Sequence, residues 1–173
     1  RAAAEANMTD VTICLDSDIQ SGLEVVFDDP SMNVTIKSCE APVSIKFMGT
    51  RPIGNESGFM KVVDGANVTF ENVTLKASEG NYDGRVVYVA DDGVVTLDSV
   101  TVTKGKVKEA NYEGRGGAGL FADDHGTAYI KGDSLFTDNE TVGGGGAVYA
   151  ADGGYIEISG NTSITNNRAA NGG

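Results

Sequence analysis

The chain has 173 residues, with 13 Lys and Arg against 25 Asp and Glu, a formal charge of −12. That charge disfavours phosphate backbones and anionic lipid surfaces, so nucleic acid and direct membrane insertion are poor partners, and a single His leaves no room for a His-rich metal site. No apolar run approaches the roughly 20 residues of a membrane-spanning helix, while 40% apolar residues spread along the chain and 24 glycines suit one ordered, turn-rich domain.

The chain opens Arg1-Ala2-Ala3-Ala4-Glu5 with no secretory leader, so a mature chain or a fragment of a longer one is expected. Residues 1–8 are the one stretch that reads as a short helical cap. Beyond them come strand candidates: 11–14, 23–27, 34–37 and 43–47, each rich in Val, Ile and Phe. Cys14 and Cys39 stand 25 residues apart. If that spacing is close to one turn of a solenoid, the two lie in adjacent coils about 4.8 Å apart. A disulfide spans such a distance. The expected Cys14–Cys39 bridge staples the first coils, and residues 1–50 read as N-terminal capping coils.

From residue 51 onward the pattern is more regular. Asp64-Gly65 leads to Val68/Phe70 and Val73/Leu75, and Asp91-Asp92-Gly93 leads to Val95/Leu97 and Val100/Val102. Asp123-Asp124-His125-Gly126 leads to Ala128/Ile130 and Phe136, and Asp152-Gly153-Gly154 leads to Ile156/Ile158 and Ile164. The glycines at 65, 93, 126 and 154 are spaced 28, 33 and 28 apart. Within each unit apolar residues alternate with Thr69, Thr96, Tyr129 and Glu157, the period of a strand with one buried face. A unit this small cannot enclose a core alone and must stack on its neighbours. The expected fold is all-β: a right-handed parallel β-helix of five to six coils, each of three short strands, in one domain over 1–173. The last residues, Ala169 to Gly173, stand in the phase where Gly143 to Gly146 introduce a strand, so further coils of the same chain or a partner are expected to follow.

The last third of the chain resembles the repeats of chlamydial polymorphic outer-membrane proteins. Gly145-Gly146-Ala147-Val148 and Phe136-Thr137-Asp138-Asn139 match their Gly-Gly-Ala-(Ile/Leu/Val) and Phe-X-X-Asn motifs. Gly116-Gly117-Ala118-Gly119 departs at the fourth position, and Ile164-Thr165-Asn166-Asn167 has Ile for Phe. Similar repeats occur in secreted right-handed β-helix proteins of microalgae, which also carry a paired-cysteine segment near the N-terminus. The resemblance implies the pectin-lyase-like solenoid fold and a place on or outside the cell. Physically, Phe136 and Ile164 should stack along the axis. Asn139 and Asn167 should occupy turns and bond coil to coil.

Seven of the twelve Asn residues head an Asn-X-Ser/Thr sequon: Asn7, Asn33, Asn55, Asn67, Asn72, Asn139 and Asn161. They mark expected glycosylation positions on a secreted or cell-surface glycoprotein. Alternatively, Asn-Val-Thr is simply how several strands begin here. Two loops, Asn81-Tyr82-Asp83-Gly84-Arg85 and Asn111-Tyr112-Glu113-Gly114-Arg115, repeat 30 residues apart. Tyr82, Arg85, Tyr112 and Arg115 are therefore expected to form an exposed interaction patch.

Stacking would align the acidic turn residues, and Asp92, Asp124 and Asp152 are the weak candidates for Ca²⁺, the one cofactor the chain suggests. Asp simply suits a turn before Gly, which explains the same residues without an ion. Asp123-Asp124-His125-Gly126 resembles the paired Asp and His-Gly of polygalacturonases. The Asn-Thr-Asp and Arg-Ile-Lys motifs that accompany them are missing here, and no Gly-X-Ser-X-Gly elbow supports a triad around His125. A threonine array for ice breaks after Thr69 and Thr96. The leading reading is thus a non-enzymatic structural and interaction module. It would be adhesin-like or a subunit of an extracellular assembly, and its partners would be proteins. The alternative is a carbohydrate-active domain that binds or cleaves an acidic polysaccharide with Ca²⁺.

Overall fold

The computed structural model describes residues 9–49, 58–77, 83–108 and 116–171. Helices are absent among them, and the proposed cap at 1–8 lies outside. Each coil contributes one strand to each of three parallel sheets. The first coil holds β1 (Asp10–Leu15), β2 (Ile19–Ser21) and β3 (Val25–Phe27). The second holds β4 (Asn33–Ser38), β5 (Val43–Phe47) and β6 (Gly58–Val62), and the third β7 (Asn67–Glu71), β8 (Val73–Lys76) and β9 (Arg85–Val89). The fourth holds β10 (Val94–Asp98), β11 (Thr101–Thr103), β12 (Lys106–Val107) and β13 (Leu120–Ala122). The fifth holds β14 (Thr127–Lys131), β15 (Leu135–Thr137), β16 (Glu140–Thr141) and β17 (Val148–Ala150). A sixth begins with β18 (Tyr155–Ile158) and β19 (Ser163–Thr165).

The first sheet runs β1-β4-β7-β10-β14-β18, the second β2-β5-β8-β11-β15-β19 and the third β3-β6-β9-β13-β17. This is the parallel β-helix expected from the repeat, with one departure. The fourth and fifth coils carry an additional short strand each, β12 and β16, paired Lys106↔Glu140 and Val107↔Thr141. Lys106 Nζ sits 2.8 Å from a Glu140 oxygen, and that hydrogen bond holds the Glu140 carboxyl below its usual range.

Register follows from period-two alternation. Ile36, Phe70, Leu97 and Ile130 pair in succession and point into the axis, as do Leu75, Val102 and Phe136. From Phe70 to Ile130, and from Leu75 to Phe136, these residues are fully buried. Rings fill the wider places: Phe27 meets Phe70 edge-on at 6.2 Å, and Phe47 lies 5.2 Å from Phe59. No single coil could bury these side chains, so the core exists only as a stack. The same rows become exposed at the terminal coil, where Ile158 and Ile164 stand 45% and 42% open.

A second, smaller cluster lies on the outer side of the third sheet. Tyr88, Phe121 and Tyr149 pair in register there, with ring centres 5.8 and 5.6 Å apart. Val63 and Ala90 join them, and Tyr88 and Phe121 are buried.

Candidate functional site

The acidic turns before the first sheet are the most repetitive polar feature. Each has two consecutive residues in the left-handed region: Asp64-Gly65, Asp91-Asp92, Asp124-His125 and Asp152-Gly153. The fourth residue donates its N–H back to the first carbonyl, Ala66 to Val63 at 3.0 Å, Gly93 to Ala90 at 2.8 Å, Gly126 to Asp123 at 2.6 Å and Gly154 to Ala151 at 2.7 Å. Two left-handed residues closed in this way make a type I′ turn, for which Asp and Gly are favoured. The closing glycines answer a different need. A Cβ at Gly93 would come within 2.6 Å of the Val62 carbonyl oxygen, and at Gly126 it would strike that of Val89. They are glycine because the previous coil lies against them, not because of backbone angle.

The turns stack through Gly65 N–H to Asp91 O and Asp91 N–H to Asp124 O, both 2.9 Å, and His125 N–H to Asp152 O at 3.3 Å. This corrects the expected alignment. Asp124 and Asp152 share a row with Asp64 and Asp91, whereas Asp92 falls one position on, with His125 and Gly153. The closing glycine sets the phase, and counting back from it separates Asp91 from Asp92. Asp64, Gly65, Asp91, Asp92, Asp124 and His125 line an open groove of about 480 Å³. His125 Nδ1 lies 3.0 Å from Asp124 Oδ1, and both are exposed. Asp123 turns away, is buried, and accepts a hydrogen bond from Tyr88 Oη at 3.4 Å. Among the described residues no three His, Cys, Asp or Glu converge as metal ligands.

Arg85 is also a correction. It was expected on an exposed patch with Tyr82, Tyr112 and Arg115; those three lie outside the described residues, and Arg85 is 1% exposed. Its guanidinium lies 4.4 Å from the Phe121 ring centre, and Nε donates to the Gly116 carbonyl at 3.0 Å. The outer aromatic cluster draws it in, because a delocalised cation over a ring face tolerates desolvation better than an ammonium does.

The sequons divide by environment. Asn7 and Asn55 lie outside the described residues. Asn33 and Asn67 open β4 and β7 and form a ladder, Asn67 donating to Asn33 at 3.1 Å and Asn33 to Asp10 at 2.8 Å. Asn161 donates to Asp133 at 3.1 Å, and Asn72 occupies a left-handed corner before β8. Asn139 is fully buried, which corrects its assignment as a glycan carrier. Its Oδ1 accepts from Gly105 N–H at 3.0 Å; its Nδ2 donates to the Val102 carbonyl at 3.1 Å and to Asn167 Oδ1 at 2.9 Å. Asn167 repeats the scheme one coil on, accepting from Asn139 N–H at 3.0 Å and donating to the Phe136 carbonyl at 2.8 Å. The asparagines therefore bond coil to coil as expected. The left-handed residue at each corner, however, is the one before: Lys104, Asp138 and Asn166.

Cys14 and Cys39 form the expected disulfide, with Cα atoms 5.5 Å apart. It joins β1 to the end of β4, next to the hydrogen bond from Cys39 N–H to the Leu15 carbonyl. A disulfide is compatible with an extracellular place. Among the described residues no helix is long and apolar enough to cross a membrane.

One alignment was missed in the sequence. Thr12, Thr35, Thr69 and Thr96 pair in succession on the outer face of the first sheet, so the threonine row has four members rather than two. It continues into Tyr129 and Glu157. The Asn-Val-Thr shared by residues 33–35 and 67–69 was the available signal; it fixes the phase that carries the row back to Thr12.

The chain matches no family model, no curated protein and no solved structure.

Proposed function

We propose that this chain is a non-enzymatic structural and interaction module that acts on or outside the cell, as an adhesin-like rod or a subunit of an extracellular assembly. The observation that carries this reading is where the polar side chains go. Asn139, Asn167 and Ser134 bond neighbouring coils, as do Asn33 and Asn67. Arg85 packs on Phe121, and Asp123 meets Tyr88. These polar side chains thus fix the geometry of the rod, which displays its outer faces at a fixed repeat. The disulfide supports an oxidising location. Protein partners, further coils of the same chain among them, suit the open apolar rows at the terminal coils.

The open groove along Asp64, Asp91 and Asp124 favours a second reading, a Ca²⁺-assisted domain acting on an acidic polysaccharide. The net charge of −12 opposes it, since a polyanion would need the ion as a bridge. One assay separates the two. Purified protein is incubated with polygalacturonate, with and without Ca²⁺, and release of reducing ends or unsaturated product is followed. The module reading expects no turnover in either condition. Ca²⁺-dependent turnover that Asp124→Ala abolishes would establish the alternative.

A further inference from the structure

The outer face of the first sheet ends in an aromatic step. Tyr129 continues the threonine row after Thr96, and Tyr155 lies opposite Thr127 in the neighbouring row. Among the described Phe and Tyr side chains, these two are the exposed ones, at 39% and 51%. Their ring centres are 6.4 Å apart at 66°. Tyr155 Oη donates to Glu157 Oε2 at 3.0 Å, and this bond holds the phenol pKa above its usual value, so the proton stays on oxygen. The tyrosines are thus held by each other and by the sheet. A ligand that meets them would order little that is not ordered already.

We propose that Tyr129 and Tyr155, with the hydroxyls of Thr69, Thr96 and Thr127, form a binding face for an uncharged polysaccharide lying along the first sheet. Three features select that class. A pyranose ring offers weakly positive C–H groups on its faces, which suit the negative face of an exposed aromatic ring. Its rim of hydroxyls suits a line of threonine and tyrosine hydroxyls repeating at about 4.8 Å per coil, and a straight repeating face suits a straight repeating polymer. Charge settles the rest: Lys131, the cation beside Tyr129 on this face, is paired with Asp98 at 3.4 Å, and Glu157 stands beside Tyr155, so a polyanion would be repelled. The assignment gives the module proposed above its ligand class and rests on that reading.

The test is cosedimentation of the intact chain with insoluble β-1,4-glucan and with insoluble β-1,3-glucan, with the supernatants assayed for released sugar. Wild type should pellet with at least one of them and release nothing. The Tyr129→Ala/Tyr155→Ala double variant should lower the bound fraction about tenfold, and the two Tyr→Phe changes should largely retain it, since the ring stays. Thr96→Glu, which places a charge in the middle of the row, should lose binding too, and it serves alone if the double variant fails to fold. Wild type left in the supernatant with both glucans, or variants that bind as wild type does, would overturn the polysaccharide face while leaving the module reading intact. A concentration-dependent dimer lost in the double variant would also overturn it, by assigning the face to a second copy. Released sugar would bring down the non-enzymatic reading and the proposal resting on it.

Discussion

Asn139 shows how one side chain decides between two readings of the same motif. As a sequon it invites a glycan. As the last residue of Phe-X-X-Asn it is buried, with its amide bonded to the coils on either side. Asn139→Ala would orphan the buried Gly105 N–H and remove the side-chain donor to the Val102 carbonyl, at a cost of roughly 2 kcal/mol in denaturant unfolding. Peptide mapping of the folded protein should find Asn139 unmodified even where exposed sequons carry sugar. His125 is the converse case, a side chain where the backbone asks for none. Its φ of 61° lies in the left-handed region, at the turn position that Gly153 holds in the next coil. His125→Gly should leave the fold intact and raise stability by about 1 kcal/mol, measured as a shift in denaturant midpoint. Gly126→Ala, one residue on, should destabilise by strain against the Val89 carbonyl. The glycine positions were legible in the sequence, but their separate reasons were not, because close approach and left-handed angle leave the same letter.

At the scale of elements, the regular coils were readable because their apolar residues alternate and their turns recur, as in β10 and β14. The extra pair β12–β16 was not, since two residues carry no period. Nor was the burial of Arg85. Its loop composition suggests exposure, and only the pairing of Tyr88 with Phe121 shows the aromatic surface that takes it in. The first coils depend most on specific ties. The disulfide closes 25 residues and should contribute about 3 to 4 kcal/mol by restricting the unfolded chain. Reduction should therefore release β1 and β2 before the later coils, seen as early proteolysis near the N-terminus. Asp18 adds an electrostatic tie between β2 and β5. Lys46 Nζ at 2.6 Å and the Ser44 N–H at 2.8 Å hold its carboxyl below the usual range. Because its folded pKa is depressed, this stabilisation is present above the ordinary carboxylate range. It is lost as pH falls through the folded value. Below about pH 4, the wild type should lose thermal stability more steeply than Asp18→Asn, which should be less stable at neutral pH and flatter towards acid.

At the scale of the molecule, stability is a sum of coil interfaces rather than one closed core. Val87, Leu97, Leu120 and Ile130 are sealed in the middle coils, while Ile13 and Ile19 at one end and Ile158 and Ile164 at the other are open. Protection should follow that gradient, and so should the stiffness that lets the outer faces present groups at fixed spacing. Residue-resolved amide hydrogen exchange tests this most directly. The account predicts the slowest exchange for inter-coil donors in the middle of the stack, among them Asp91, Thr127, Gly105 and Asn139, with β1, β2, β18 and β19 exchanging first. Uniformly rapid exchange across β7 to β15, or slow exchange confined to hairpin-like pairs of adjacent strands, would contradict the stacked rod on which the functional reading stands.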